Sequence, residues 1–71
     1  MTPVEILQNN NHIHTVNNDE WFTLITEYGK RYRIYGTPKG FNFYTADNTD
    51  DDNFICGSIL VGPFLIRPQK G

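Results

Sequence analysis

Cysteine is almost missing from this sequence: Cys56 is the only one in 71 residues, so no disulfide can form within the chain. The opening residues also lack a signal-like pattern, and together these features predict a reducing, cytoplasmic setting. Long apolar runs are missing too. The longest stretch without a charged residue runs from Asn53 to Ile66, too short to span a bilayer and interrupted by Gly57, Gly62 and Pro63. It reads as core strand, which predicts a soluble protein with no membrane role. No glycine-rich phosphate loop is present. A catalytic set is lacking as well, because Cys56 stands in a strongly apolar stretch and reads as a buried, inert thiol. The sequence therefore predicts a protein that is not an enzyme and needs no cofactor.

Metal chemistry is equally thin. His12 and His14 have the spacing of two ligands on one strand face, with Cys56 as the only soft residue to add, and zinc needs three or four protein ligands. The run Asp47–Asp52 holds Asp47, Asp50, Asp51 and Asp52 but fails the calcium-loop pattern. It has no glycine at the sixth position and no acid at the twelfth. No metal site is expected, and the acidic run reads as a solvated loop.

What is present is a small chain rich in aromatic residues, ten in all, with charge strongly sorted along its length. A single domain spanning residues 1–71 follows from the length. Residues 1–29 carry −4, residues 30–46 carry +4 from Lys30, Arg31, Arg33 and Lys39, residues 47–52 carry −4, and the remainder carries +2. The net charge of −2 argues against a protein that holds nucleic acid by bulk charge, though it leaves room for a local basic surface.

Thr2-Pro3-Val4-Glu5 has the form of a helical capping box with proline at the first helical position, and an extended arm is the rival reading. His12 to Val16 alternates, with Ile13 on one side and His12 and His14 on the other, as a half-buried strand does. Trp21 to Tyr28 is a strand by composition. Gly29-Lys30 then fits a two-residue hairpin placing Tyr28 opposite Arg31 and Ile25 opposite Ile34. That register gathers Trp21, Thr23, Ile25, Tyr32 and Ile34 on one face. Gly36-Thr37-Pro38-Lys39-Gly40 reads as a turn, Phe41 to Ala46 as a strand with Phe41 and Phe43 on one face, and Phe54 to Val61 and Phe64 to Arg67 as two more strands. The expected fold is all-β, with one short N-terminal helix as an option. Five or six antiparallel strands would form a small barrel or curled sheet of the OB or SH3 kind.

Lys39-Gly40-Phe41-Asn42-Phe43 and Asp52-Asn53-Phe54-Ile55-Cys56-Gly57-Ser58-Ile59-Leu60 resemble the two ribonucleoprotein motifs of the cold-shock domain, a nucleic-acid-binding OB barrel. The resemblance spans Lys30 to Leu60. Cys56 and Gly57 stand where that family carries His and Phe, and Ile34 where it carries its first-strand Trp. What the resemblance implies is a single-strand-binding surface. Phe41, Phe43 and Phe54 would stack on bases while Arg31, Arg33 and Lys39 contact phosphates.

Two functions therefore stay open. One is a non-enzymatic protein-binding regulator or inhibitor, of the kind phages and mobile elements encode, using Asp47, Asp50, Asp51 and Asp52 to meet a basic partner. The other is binding of single-stranded RNA or DNA. The incomplete aromatic set and the net charge favour the first. Self-association through the apolar segment 53–66 is a third option.

Overall fold

The computed structural model describes residues 3–46 and 53–69. Within them the all-β expectation is borne out. The strands are β1 (Val4–Gln8), β2 (Asn11–Val16), β3 (Trp21–Ile25), β4 (Arg31–Thr37), β5 (Gly40–Tyr44), β6 (Phe54–Ile55), β7 (Ile59–Val61) and β8 (Phe64–Pro68). They form two antiparallel four-stranded sheets, sheet A in the order β2-β1-β8-β7 and sheet B in the order β3-β4-β5-β6. The chain makes the β1–β2 hairpin, crosses to sheet B for β3 to β6, then crosses back for β7 and β8. The eight strands exceed the five or six expected and do not close into one barrel; of the two expected forms the curled sheet is the one they allow, as two sheets packed face to face. The run from Phe54 to Val61 is not one strand, because the chain changes sheets at Cys56-Gly57-Ser58.

Alternation decides which residues meet between the sheets. Val4, Ile6, Val16, Phe64 and Ile66 of sheet A pack on Leu24, Ile34 and Phe41 of sheet B as one cluster. Phe22, Tyr32, Phe43, Ile55, Ile59 and Val61 line its rim, half-buried. Two ring pairs close the margins. His14 stacks on Phe22 at 4.1 Å between β2 and β3, and Tyr32 stacks on Phe43 at 5.5 Å between β4 and β5. Such pairs add to the stabilisation their buried area gives.

The N-terminal helix is corrected to a strand. Val4–Gln8 lies between β2 and β8 and pairs with both, Ile6 facing His14 on one side and Ile66 on the other. Two hydrogen-bonded ladders and two fully buried side chains outweigh what a short capped turn offers. Thr2 lies outside the described residues, as does the acidic run 47–52.

The register of the β3–β4 hairpin is corrected as well. The loop is Glu27-Tyr28-Gly29. The Thr26 N–H donates to the Lys30 carbonyl at 2.9 Å, and the Gly29 N–H donates to the Thr26 carbonyl at 2.9 Å. Gly29 has φ +81°, the left-handed residue that ends a three-residue hairpin loop. The Thr26 hydroxyl also accepts from the Lys30 N–H. Ile25 therefore faces Arg31 and Phe22 faces Ile34, three positions from the register expected of a two-residue turn. An odd shift moves one strand's side chains to the other face. Trp21, Thr23 and Ile25 thus share a face with Arg31, Arg33 and Tyr35 rather than with Tyr32 and Ile34.

Three smaller differences have equally local causes. A register shift between Ile6 and Leu7 leaves Ile13 unpaired in the β1–β2 ladder, so Ile13 is exposed and the expected alternation breaks there. Cys56, expected inside a strand, is exposed in the crossing between sheets. Gly36 and Gly40 belong to strands, with only Pro38 and Lys39 in the turn. A Cβ on Gly36 would stand 2.2 Å from the Asn17 carbonyl oxygen, and one on Gly40 2.2 Å from that of Ile55. Each glycine marks a close approach of backbones.

The two ends of the described chain are tied together. β1 pairs β8 along five residues, and the Gln69 N–H donates to the Pro3 carbonyl at 2.7 Å. On the outer face of sheet A, the Arg67 guanidinium donates to the Glu5 carboxylate, and Gln69 Nε2 donates to its other oxygen. These bonds hold the Glu5 carboxyl below its ordinary value of 4.5, Arg67 contributing most.

Replacing Phe41 with Ala is expected to destabilise the protein by about 3–5 kcal/mol, the range for emptying a core phenylalanine site. Phe54→Ala, at a 48% exposed position, should change it by about 0.5 kcal/mol or less. Urea midpoints check both, and equal losses would contradict the assignment of faces. Because the folded carboxyl of Glu5 is lowered, its bonds stabilise the fold above pH 4.5, and this contribution is lost as pH falls through the lowered value. Glu5→Gln should therefore show a flatter stability profile than wild type below pH 4.5.

Candidate functional site

The outer face of sheet B is built from the residues that the core alternation leaves over. The register places Trp21, Tyr35, Asn42 and Phe54 in one row across β3, β4, β5 and β6. Thr23, Arg33 and Tyr44 form the next row, and Ile25 and Arg31 the third. Trp21 leans across this surface. Its ring lies 4.7 Å from Tyr35 and 5.6 Å from Tyr44, tilted against both. The Arg33 guanidinium lies over the indole at 4.4 Å, within cation–π range.

Exposure accompanies the clustering. Trp21 is 48% exposed and Ile25 59%, with Phe54 close to Trp21 in accessibility, so three large apolar side chains are open on one sheet face. Arg31 and Arg33 are exposed, and among the described residues neither is in a salt bridge. At the rim, Pro38, Lys39 and Thr37 border a shallow hollow against the Phe54 ring. The Asn17–Glu20 crossing lies at the same end of the strands, with Glu20 opposite Gly36. The Asp19 N–H donates to the Gly36 carbonyl, and the Tyr35 hydroxyl donates to Asp19 Oδ1 at 2.9 Å. That bond favours the protonated phenol and raises the Tyr35 pKa above its ordinary 10.0. Asp19 takes φ +63°, a conformation aspartate tolerates better than most residues.

The residues expected to bind nucleic acid divide between the two faces of sheet B. Arg31, Arg33 and Phe54 lie on the outer face with Lys39 at its edge. Phe41 is fully buried and Phe43 packs half-buried against the core. The expected platform of Phe41, Phe43 and Phe54 does not assemble, because the pleat sends Phe54 the opposite way from Phe41. The residues that sequence reasoning missed are Trp21, Tyr35 and Tyr44. The signal that finds them is Thr26-Glu27-Tyr28-Gly29, a turn with glycine at its fourth position, which sets the register that unites them with Arg33.

Elsewhere the chemistry is dispersed. His12 Nε2 bonds the Thr15 hydroxyl at 2.7 Å, His14 is committed to Phe22, and Cys56 lies in the crossing from β6 to β7. Among the described residues no group of three or more His, Cys, Asp or Glu is placed to hold a metal. A hollow of about 570 Å³ opens at one end of the sandwich beside Asn9, Thr26, Lys30, Gly62 and Phe64. A second, of about 420 Å³, lies beside Lys30, Arg31 and Thr45. No helix among the described residues is long and apolar enough to cross a membrane.

No protein-family profile, no curated protein and no solved structure matches this chain significantly.

The Tyr35–Asp19 bond is intact below the ordinary tyrosine range and is lost as pH rises through the raised value. A tyrosinate absorbance titration should show one phenol ionising above 10.0, and Tyr35→Phe should remove that step. An unchanged profile in Tyr35→Phe would assign the late step to another tyrosine.

Proposed function

We propose that the protein is a non-enzymatic binding protein, a regulator or inhibitor, that recognises another protein through the outer face of sheet B. The observation that carries this reading is the contact cluster of Trp21, Tyr35, Tyr44 and Arg33, half-open on a packed sheet. Trp, Tyr and Arg are the residue types in which protein interfaces concentrate their binding energy. A sheet holds them with little ordering left to do on binding, which lowers the entropic cost of association. The acidic run 47–52, first considered as the docking element, lies outside the described residues and has no part in this argument.

Single-stranded nucleic acid is the second reading, and the same face favours it to a degree. Phe54 is an exposed ring and Tyr44 a half-buried one, and Arg31, Arg33 and Lys39 supply positive charge on the same face or at its edge. Three features weigh the other way. Arg33 occupies a face of the Trp21 ring on which a base would stack. Asp19 is bound to the Tyr35 hydroxyl, where its charge repels phosphate. The net charge of −2 adds no general attraction for a polyanion.

Affinity capture from the native host with wild type and Trp21→Ala separates the two. A protein partner held by wild type should bind Trp21→Ala about thirtyfold or more weakly, the size of an interface hot spot, with unchanged melting. If no partner depends on Trp21, and mixed single-stranded oligonucleotides quench the indole in a salt-weakened way, the second reading replaces the first.

A further inference from the structure

Resting on that reading, we propose that the partner supplies an extended segment, acidic at its centre, that adds to sheet B as a fifth strand along β3. The four sheet edges are not alike. β6 has two residues and β7 three, and β2 carries the irregularity at Ile13, all features that discourage a further strand. β3 is five residues of Trp, Phe, Thr, Leu and Ile, with no proline, charge or register shift. It is the edge that remains open.

Its hydrogen-bonding groups point the right way. The Gly36 N–H donates to the Glu20 carbonyl and the Thr26 N–H to the Lys30 carbonyl, one pair at each end of the β3–β4 ladder. Antiparallel pairs alternate, so Phe22 and Leu24 bond to β4 while Trp21, Thr23 and Ile25 turn their N–H and C=O groups to the open edge. Among the described residues none of these outward groups has a hydrogen-bond partner. They repeat at about 6.8 Å, two residues of strand rise, which is the spacing an added strand presents.

Charge identifies the occupant. Thr23 faces Arg33 and Ile25 faces Arg31, so outward side chains of an added strand at these positions lie beside two exposed guanidiniums. Arg33 already leans toward β3, over Trp21. Glutamate or aspartate fits there. Acids at the ends of that strand do not, because Asp19 and Glu20 precede β3 and Glu27 follows it. A second copy of this chain is a poor occupant. Antiparallel pairing centred on Thr23 would set Asp19 of one copy opposite Glu27 of the other and crowd four arginines onto one face.

The probe is a blocked octapeptide in which valine alternates with polar residues, glutamate at the two central polar positions and threonine at the two outer ones, read through the emission of Trp21, the sole tryptophan of the chain. Saturable binding is expected, at least about tenfold weaker for the same peptide with lysine in place of glutamate, and for the glutamate peptide N-methylated at its threonine and glutamate amides, the ones that would face β3. Thr23→Pro removes an outward N–H that makes no bond to β4, and should weaken binding by a similar factor at an edge where proline is tolerated. The methylated peptide carries the test if that variant fails to fold. No binding of the glutamate peptide, or equal binding of the methylated one, overturns the proposal. So does a wild-type dimer in sedimentation that Thr23→Pro dissolves, or an oligonucleotide that quenches Trp21 at lower concentration than the peptide. If the captured partner is lost by Trp21→Ala but kept by a folded Thr23→Pro, the binding face stands and strand addition falls. If Trp21→Ala keeps it, both fall.

Discussion

The fit of Phe41 opposite Gly36 is the constraint on which the sandwich depends. Phe41 is fully buried, and the β4 position facing it has no side chain, so the ring fills core space that two bulky residues could not share. The same missing side chain serves a second purpose on β4. The Asn17 carbonyl passes so close to Gly36 that a Cβ there would collide with it, and the Asp19 N–H bonds the Gly36 carbonyl. One glycine thus sets both the depth of the core and the point where the chain steps from sheet A to sheet B.

From that point the pleat does the rest. With Phe41 inward, Asn42 and Tyr44 go outward, and pairing to β4 sends Arg33 and Tyr35 out beside them. The Glu27-Tyr28-Gly29 loop then fixes β3, so that Phe22 and Leu24 face the core and Trp21 faces Arg33 and Tyr35. Core and candidate site are two outcomes of one alternation. A register change of one residue in β3 would bury Trp21 and expose Leu24, exchanging the two roles at once.

Most of the β composition was legible, because runs such as Trp21–Ile25 and Phe41–Tyr44 favour strands in any context. Connection and register were not. Val4–Gln8 carries a local helix-start signal, and only its two neighbours, β2 and β8, make it a central strand. β8 is distant in sequence, and β2, although joined by the two-residue Asn9-Asn10 turn, pairs through a bulge at Ile13 that breaks its alternation. Gly29 suits either a two-residue or a three-residue loop, and the choice rests on the Thr26 bonds across the turn. Phe41 was readable as aromatic and as paired in face with Phe43, yet the direction of that face depends on the whole sheet. The candidate site was legible as a set of basic residues, and the aromatic set beside them waited on the register.

Exposed aromatic residues in so small a protein invite a simpler account, that ten rings exceed what one core can hold. That account predicts surplus rings scattered singly over both outer faces, an ordinary feature of protein surfaces. The two faces differ instead. The outer face of sheet A carries the Glu5–Arg67 pair, with Leu60, 73% exposed, on its edge strand. On sheet B, Trp21, Tyr35 and Tyr44 touch one another, and a guanidinium lies over the indole. Packing surplus gives no reason for rings to gather on the face that also holds Arg31 and Arg33, or beside the one sheet edge among the described residues that runs five residues without an interruption. Recognition of a partner gives a reason for all three. Gly36 limits what the inside can accept, and the outside of sheet B is where the sequence places the rings that could still interact.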